Sequence, residues 1–331
     1  MTRYCEIDIK YNDAEISKNI SKSIIDITYT DNEQGKADDL EIVVENRDNR
    51  WNTKFFPKKG SKIEVSLKLY NWYKAGEIIN VRWGNFTIDE LTYSSDATFK
   101  ISCIAEKCAG SFVTEKKWRT WENIRLKDMC DTLAKENNMR LVYKPANNYK
   151  HKMLYQIGVT DSDFILAQCN REIGFKVKIA DDKIVIFEDS IGDSGVKLSF
   201  KDLSSYMFNS KTFGVYKACE VKYFDAESGE VITYRKEDDA IKNNDSVLVV
   251  EQEALSSEEA KKIAAAKLIE ANNKEITASI SLMGNPNIWT GYEVELSDFG
   301  VFSGKYVIDK VTHTISGSQG YITNFDCYLK R

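Results

Sequence analysis

Residues 84–92 read GNFTIDELT and residues 304–312 read GKYVIDKVT. Both follow Gly-x-aromatic-x-Ile-Asp-x-aliphatic-Thr, and no catalytic motif has that form. Strand alternation puts Phe86 and Ile88, and likewise Tyr306 and Ile308, on one sheet face, where they fill a core. Asp89 and Asp309 point the other way, and the Thr three positions on shares their side only if the strand bulges there. Gly84 and Gly304 open the strands where the backbone needs a conformation that other residues resist. The set Gly84, Phe86, Ile88, Asp89 and Leu91, matched by Gly304, Tyr306, Ile308, Asp309 and Val311, is therefore read as a duplicated structural motif. It marks two copies of one β-module. The two carboxylates are either solvated strand residues or anchors for a turn or a neighbouring subunit.

The flanks repeat as well. Before the first copy, LEIVVEN puts Leu40, Ile42 and Val44 on one face, and GSKIEVSLKL does the same with Ile63, Val65, Leu67 and Leu69. TFKISCI comes after it with Phe99, Ile101 and Cys103 in step. Turn-formers separate these runs at 46–49, 58–60, 83–85 and 94–96, a spacing that suits an antiparallel sandwich or small barrel. Near the C-terminus ITASISLM answers LEIVVEN, TGYEVELS answers KGSKIEVSL with Gly291 in the place of Gly60, and ITNFDCYL answers TFKISCI with Cys327 in the place of Cys103. CEVKYFDAESGE is a looser match to IIDITYTDNEQGK (24–36).

Between the copies the period changes. RLKDMCDTLAKENN places Leu126, Met129, Cys130, Leu133 and Ala134 on one helical stripe. A second helix starts from the Thr160-x-x-Asp163 cap, buries Ile165, Cys169 and Ile173, and stops at Gly174. FKVKIADDKIVIFED is a hairpin turning at Asp181 and Asp182. A third helix opens with a Ser256-x-x-Glu259 capping box, and Ala260, Ile263, Ala264, Lys267, Leu268 and Ala271 keep a helical rhythm whose Ala-rich stripe packs internally or docks a partner.

Bulk properties exclude several classes. A hydrophobic content of 42% over 331 residues supports real cores in more than one domain, and a net charge of -5 argues against a basic nucleic-acid binder. The start MTRYCEIDIKYND has no apolar run after its Arg, and no stretch reaches the length of a membrane span, so the chain is expected in the cytosol unless a larger particle carries it out. Seven cysteines without a Cys-x-x-Cys read as reduced core thiols, with a disulfide framework or zinc site the lesser reading because only His151 and His313 could join them.

Catalysis needs convergent polar groups, and the sequence frames none: no nucleophile elbow, no zinc-protease helix, no phosphate loop. His151 lies in the loop-like NNYKHKM, and His313 caps or packs. A carboxylate pair such as Asp38 or Asp39 with Glu41 reads as a solvated strand edge before it reads as a glycosidase. EKKWR (115–119) beside Trp118 and Trp121 reads as a loop or interface. No catalytic, cofactor-binding or metal residues are assigned.

DDLEIVVENRDNRW (38–51) with GNFTIDEL, the Trp121–Met129 helix start, EEAKKIAAAKL, SISLMGNPNIWTGYEVEL, GKYVIDKVTHTI and GYITNFDCYL, in that order, resemble the late control protein D family. These are the tail hub proteins of contractile-tailed phages and phage-tail-like bacteriocins, similar in plan to the N-terminal part of type VI secretion spike proteins. The resemblance spans essentially the whole chain. It implies an α+β, mainly β fold with two related antiparallel β-barrel (tube) domains. The expected division is 1–110 for the first barrel, 111–210 for an α+β insert, 211–250 with 274–331 for the second barrel, and 251–273 for a helix inserted in it.

The resemblance further implies a non-catalytic baseplate hub, assembled in the bacterial cytoplasm. A homotrimer would present six modules to a hexameric tail tube and carry a trimeric spike. The implied partners are the tail tube protein, the central spike protein, other baseplate proteins and a tape-measure protein, with no membrane, no specific nucleic acid and no cofactor. A channel lined by one face of both modules is expected to be neutral to acidic, since basic groups would hold a passing polyanion. The competing readings are a tail-tip peptidoglycan hydrolase and a monomeric carbohydrate-binding module using Trp51, Trp72 or Trp83 as sugar platforms.

Overall fold

The computed structural model describes residues 2–16, 20–32, 36–108, 110–171, 174–225, 229–242, 245–254 and 257–330. The N-terminal part forms β1 (Tyr4–Tyr11), β2 (Ala14–Glu15), β3 (Ile24–Asn32), β4 (Asp39–Glu45), β5 (Lys62–Tyr70), β6 (Ile78–Tyr93) and β7 (Thr98–Ala105). The middle forms α1 (Ser111–Thr114), β8 (Lys117–Arg125), α2 (Leu126–Glu136), β9 (Arg140–Tyr143), β10 (Lys150–Val159), α3 (Asp161–Arg171), β11 (Lys176–Ala180), β12 (Lys183–Phe187), β13 (Gly192–Ser199) and β14 (Leu203–Ser210). The rest forms β15 (Ala218–Asp225), β16 (Glu230–Glu237), β17 (Val247–Ala254), α4 (Ser257–Asn272), β18 (Ile276–Met283), β19 (Tyr292–Ser297), β20 (Gly304–Ser316) and β21 (Gly320–Leu329).

The expected α+β, mainly β class is the observed one. Strands of both expected barrels join in a single curled sheet of 13 strands, ordered β14-β18-β21-β20-β3-β4-β7-β6-β5-β1-β2, with β19 on β20 and β13 on β19. Its two halves repeat one strand order: β3-β4-β7-β6-β5 and β14-β18-β21-β20-β19. The repeat extends to register. One row of paired residues runs Tyr29–Leu40–Cys103–Ile88, and its counterpart runs Phe208–Ala278–Cys327–Ile308.

The duplicated nine-residue stretch lies in β6 and β20. Phe86, Ile88, Tyr306, Ile308 and Val311 are buried, and Leu91 is half-buried. The register slips between Ile88 and Glu90 and between Ile308 and Lys310, so Asp89 and Asp309 are the extra residues of two equivalent bulges. The slip turns Thr92 and Thr312 onto the polar face. Gly60 and Gly291 have φ of 79° and 78°, a region only glycine enters freely, and each donates its N–H to the bulge isoleucine carbonyl, of Ile88 and Ile308, at 2.8 Å. The two opening glycines differ. Gly84 has φ of 127°, at a slip against β5, whereas Gly304 at 158° is nearly extended. There the constraint is space: a Cβ would stand 2.9 Å from the Leu329 side chain.

Two stretches depart from the expected domain division. β13 and β14, expected in the insert, join the second half of the large sheet, where Phe208 packs on the rings of Phe299, Phe302 and Tyr306. β15, β16 and β17, expected in the second barrel, form their own sheet. Their inward face (Cys219, Val221) is taken by Ala260, Ile263, Ala264 and Leu268 of α4, whose alanines allow close approach and leave no apolar face for a barrel. The loose match of residues 24–36 with 219–230 therefore fails, since β14 holds the place that β3 holds in the other half.

The middle of the chain has its own core. Leu126, Met129, Cys130, Leu133 and Ala134 of α2 are all buried, and Thr160 caps α3 by accepting the Asp163 N–H at 3.1 Å. β11 and β12 form the hairpin turning at Asp181 and Asp182, and β12 pairs with β9. Ile173 and Ser256 lie outside the described residues, as does the side chain of Glu259.

Candidate interaction surface at the seam of the two half-sheets

The two half-sheets join where β20, past its bulge, pairs with β3: Lys310 faces Asn32, Thr312 faces Thr30 and His313 faces Tyr29. Behind this seam lies a buried polar cluster fed by three parts of the chain. Lys178, from the middle hairpin, hydrogen-bonds the Asp31 carboxylate and the Thr290 hydroxyl, and donates to the Asn32 carbonyl at 3.0 Å. The second Asp31 oxygen accepts the Thr290 N–H at 2.8 Å. Lys178 and Asp31 are 5% and 1% exposed, so each ion depends on the other for its solvation.

Beside it, Asp38 accepts the Tyr29 hydroxyl at 2.9 Å and the Asn32 N–H at 3.0 Å. Burial, reinforced by Asp31, pushes its carboxyl up to about 7, against the opposing pull of Lys178. His313 is fully buried between Tyr29, Trp83, Trp289 and Tyr321. Its Nδ1 meets the Thr323 and Tyr321 hydroxyls at 3.1 and 2.9 Å, and its Nε2 lies 3.2 Å from the Ile288 carbonyl. Burial holds the imidazole down to about 4, although Asp31 pulls it up. It is therefore neutral at pH 7 and works as a packing residue. These groups are arranged as a structural lock.

The opposite face of the sheet is polar and crosses the seam unbroken. One row reads Ser281–Asn324–Thr312–Thr30–Asp39 and the next Thr314–Thr28–Glu41–Ser102–Glu90. Hydroxyls and carboxylates predominate in these two rows, and the neighbouring rows bring in Lys100 and Lys310. Lys100 is paired to Glu41 at 3.1 Å.

The other sequence candidates are dispersed. Asp38 faces the core, whereas Asp39 and Glu41 lie on or beside the polar face, so no carboxylate pair converges. Trp51, Trp72 and Trp83 are 9%, 4% and 4% exposed, which removes them as sugar platforms; Trp72 donates its indole N–H to the Gly284 carbonyl at 2.7 Å. Trp51 and Trp72 lie in turns that fold them inward, and Trp83 points inward from β6. Of EKKWR, Glu115 and Lys116 lie before the strand and Lys117, Trp118 and Arg119 begin β8. Its Lys117 binds the buried Asp161 at 2.5 Å and its Arg119 clamps Glu136 at 3.1 and 2.9 Å, while Trp118 faces outward. His151 is half-buried in β10, and burial followed by nearby Arg171 lowers its pKa. The cysteines are free, with burial pushing Cys103 up to about 12. Among the described residues no His, Cys, Asp and Glu cluster suits a metal ion, and no helix is long and apolar enough to cross a membrane. Sequence reading missed the lock: the signal was a lysine inside KVKIA, a strand buried on both faces.

The sequence profile of the Alg8 N-terminal domain family matches residues 84–317. No curated protein matches the sequence. Among solved structures, the fold is similar to the 43 kDa tail protein of prophage MuSo2 from Shewanella oneidensis, at TM-score 0.76 and 17% identity over 98% of both chains. A tail protein from Neisseria meningitidis MC58 matches at 0.70 and 13%, over 98% of this chain and 96% of that one. The Escherichia coli c3393 protein, a type VI secretion component described as structurally similar to T4 bacteriophage tail proteins gp27 and gp5, matches at 0.55 and 11% over 93% and 74%.

Proposed function

The chain belongs to the Alg8 N-terminal domain family, and from that premise we propose that it is the structural hub of a contractile tail or related injection device. It is a ring-forming homotrimer at the baseplate that adapts a hexameric tail tube to a trimeric spike, and it performs no catalysis. Each copy contributes two equivalent modules: β1 to β7, and β13 and β14 with β18 to β21. The duplicated motif is the hinge point of each module, where the bulge at Asp89 or Asp309 releases the strand from β5 or β19 and offers its edge to the next module.

One observation carries this reading. Past its bulge, β20 pairs with β3 of the other module. The equivalent end of β6, Glu90–Tyr93, has no such partner among the described residues, and β14, the counterpart of β3, ends the sheet. The exposures follow suit. His313 is fully buried and Tyr29 4% exposed at the closed seam, whereas Tyr93, the counterpart of His313, is 51% exposed. Pairing β6 of one copy with β14 of the next repeats the internal seam between chains, with Phe208 opposite Tyr93 and Ser210 opposite Leu91. Three copies then give six like seams, which meets a three-to-six mismatch, and the open edges serve assembly instead of aggregation. The polar face lines the channel, neutral to acidic, so a nucleic acid or protein passes without being held.

The test is genetic and structural together. Cells producing the particle without this chain should yield no assembled tails, with restoration by the wild-type chain, and the pure chain should leave bacterial cell walls intact. Normal tails in its absence would refute the hub role, and clearing of cell walls would favour a hydrolase.

A further inference from the structure

The closed seam shows what the open one lacks. Phe208 takes the place of Tyr29 in the repeated register, and each ring meets an aromatic of its own module edge-on. Tyr29 meets Phe86 at 5.8 Å and 71°, and Phe208 meets Tyr306 at 6.1 Å and 61°. The other side differs. Tyr29 is closed off by Trp289 and His313 of the second module, with ring centroids at 6.1 and 6.3 Å. The rings on Phe208 all come from its own module. Two residues back, Tyr206 is 51% exposed where its counterpart Ile27 is fully buried.

The loop that supplies Trp289 has a counterpart in the first module, and the two are pinned at matching points. Asn46 donates its N–H to the Ala97 carbonyl at 2.7 Å as Gly284 does to Tyr321 at 2.8 Å, and Gly60 and Gly291 bond the two bulge carbonyls. Between those pins lie residues 47–59 in one module and 285–290 in the other, so the first loop is seven residues longer. The adjoining hairpin is shorter: β20 and β21 pair on to Ile315–Tyr321 and Ser316–Gly320, whereas β6 and β7 stop at Tyr93–Phe99.

In the closed seam Tyr321 from the hairpin and Trp289 from the loop wall in His313. With the hairpin cut short, the long loop is the element placed to build that wall in the first module. It is fixed beside Tyr93: the Tyr93 hydroxyl donates to Asn49 at 2.9 Å, and Phe56 stands edge-on to Phe99 at 6.2 Å and 78°. Yet Phe55 and Phe56 are 50% and 57% exposed. Two aromatics held at an open strand edge, half in water, lack the apolar surface that Trp289 has in Tyr29.

A polar contact points to the same occupant. At the closed seam the N–H of Thr290, the residue before Gly291, binds the Asp31 carboxylate. Lys59 precedes Gly60 in the same way, and its N–H has no acceptor among the described residues. In β14 the place of Asp31 is held by Ser210, whose hydroxyl accepts such an N–H without adding a buried charge.

We infer that the 47–59 loop of each copy is a clasp on β14 of the next copy of this chain. Phe55 and Phe56 close over Tyr206 and Phe208, the part that Trp289 plays for Tyr29, and the Lys59 N–H binds Ser210. This contact rests on the strand seam proposed above and adds a side-chain grip to its backbone pairing. The two kinds of seam are then chemically unlike, carried by aromatic rings between copies and by a buried ion pair within one.

Photo-crosslinking in assembled tails tests it, with benzoylphenylalanine placed in separate preparations at Phe55, Phe56 and Tyr93, all aromatic and half exposed. Phe55 or Phe56 should give a covalent product of two chains whose crosslinked peptide lies within 203–213 of the second copy. The strand seam alone predicts that peptide from Tyr93. A Tyr93 product without one from Phe55 or Phe56 would overturn the clasp and leave the seam standing. Crosslinks from Phe55 and Phe56 only within their own chain, or to a different tail protein, would overturn it equally. Absence of the Tyr93 product would bring down the seam, and the clasp with it.

Discussion

The two halves of the large sheet share strand order, bulges and glycine turns, but they part company beyond the bulge. In the second half β20 crosses onto β3, and the junction is sealed by Tyr29, His313, Asp31, Lys178 and Thr290. In the first half the same length of β6 ends with Tyr93 half in solvent. Identical local instructions thus give a closed seam at one end and an open edge at the other. The difference lies in what each strand end meets: β20 meets β3 of the same chain, whereas the end of β6 has no such partner among the described residues.

The comparison can be broken most strongly at the lock. Asp31→Ala leaves Lys178 as an uncompensated buried charge and should cost about 3–5 kcal/mol in denaturant unfolding, while the pair Asp31→Asn with Lys178→Met should recover most of it. Equal recovery failure in both would show that the ion pair is incidental to the seam. Next come the two bulge isoleucines. Ile88→Ala and Ile308→Ala each delete a buried side chain and should each cost about 2–5 kcal/mol, with matching values if the modules are equivalent.

A pH series sharpens the asymmetry. The folded-state pKa of His313 is depressed, so its contribution is fully present above about 6.5 and is lost as pH falls through about 4, a loss of about 3 kcal/mol. Asp38 has the opposite sign, because its raised carboxyl stabilises the fold in acid and loses that contribution as pH rises through about 7. His313→Gln should flatten the acid limb and Asp38→Asn the alkaline one, read from unfolding midpoints at each pH. The smallest effect is expected at the bulge carboxylates: Asp89→Ser and Asp309→Ser should shift stability by no more than about 0.5 kcal/mol, since neither side chain is buried.

Much of this was legible in the sequence because alternation reports which side chains share a face. Leu40, Ile42 and Val44, the row through Cys103 and Cys327, and the match of Gly60 with Gly291 were all readable that way. Alternation is silent on which sheet a strand enters. β14 and β15 look alike in pattern, yet one has Phe208 to fill the second half-sheet and the other has Cys219 and Val221 to meet an alanine-rich helix. The lock was missed for a related reason. A charged residue within a strand ordinarily marks a solvated face, but Lys178 is enclosed by Asp31 and Thr290, both distant in sequence.

The most direct test is a density map of the assembled tail or purified ring in which every copy of this chain is traced. The account predicts three copies, with Glu90–Tyr93 of each hydrogen-bonded to β14 of its neighbour and Tyr93 facing Phe208. A different copy number, or β14 and the end of β6 both left facing water, would contradict it.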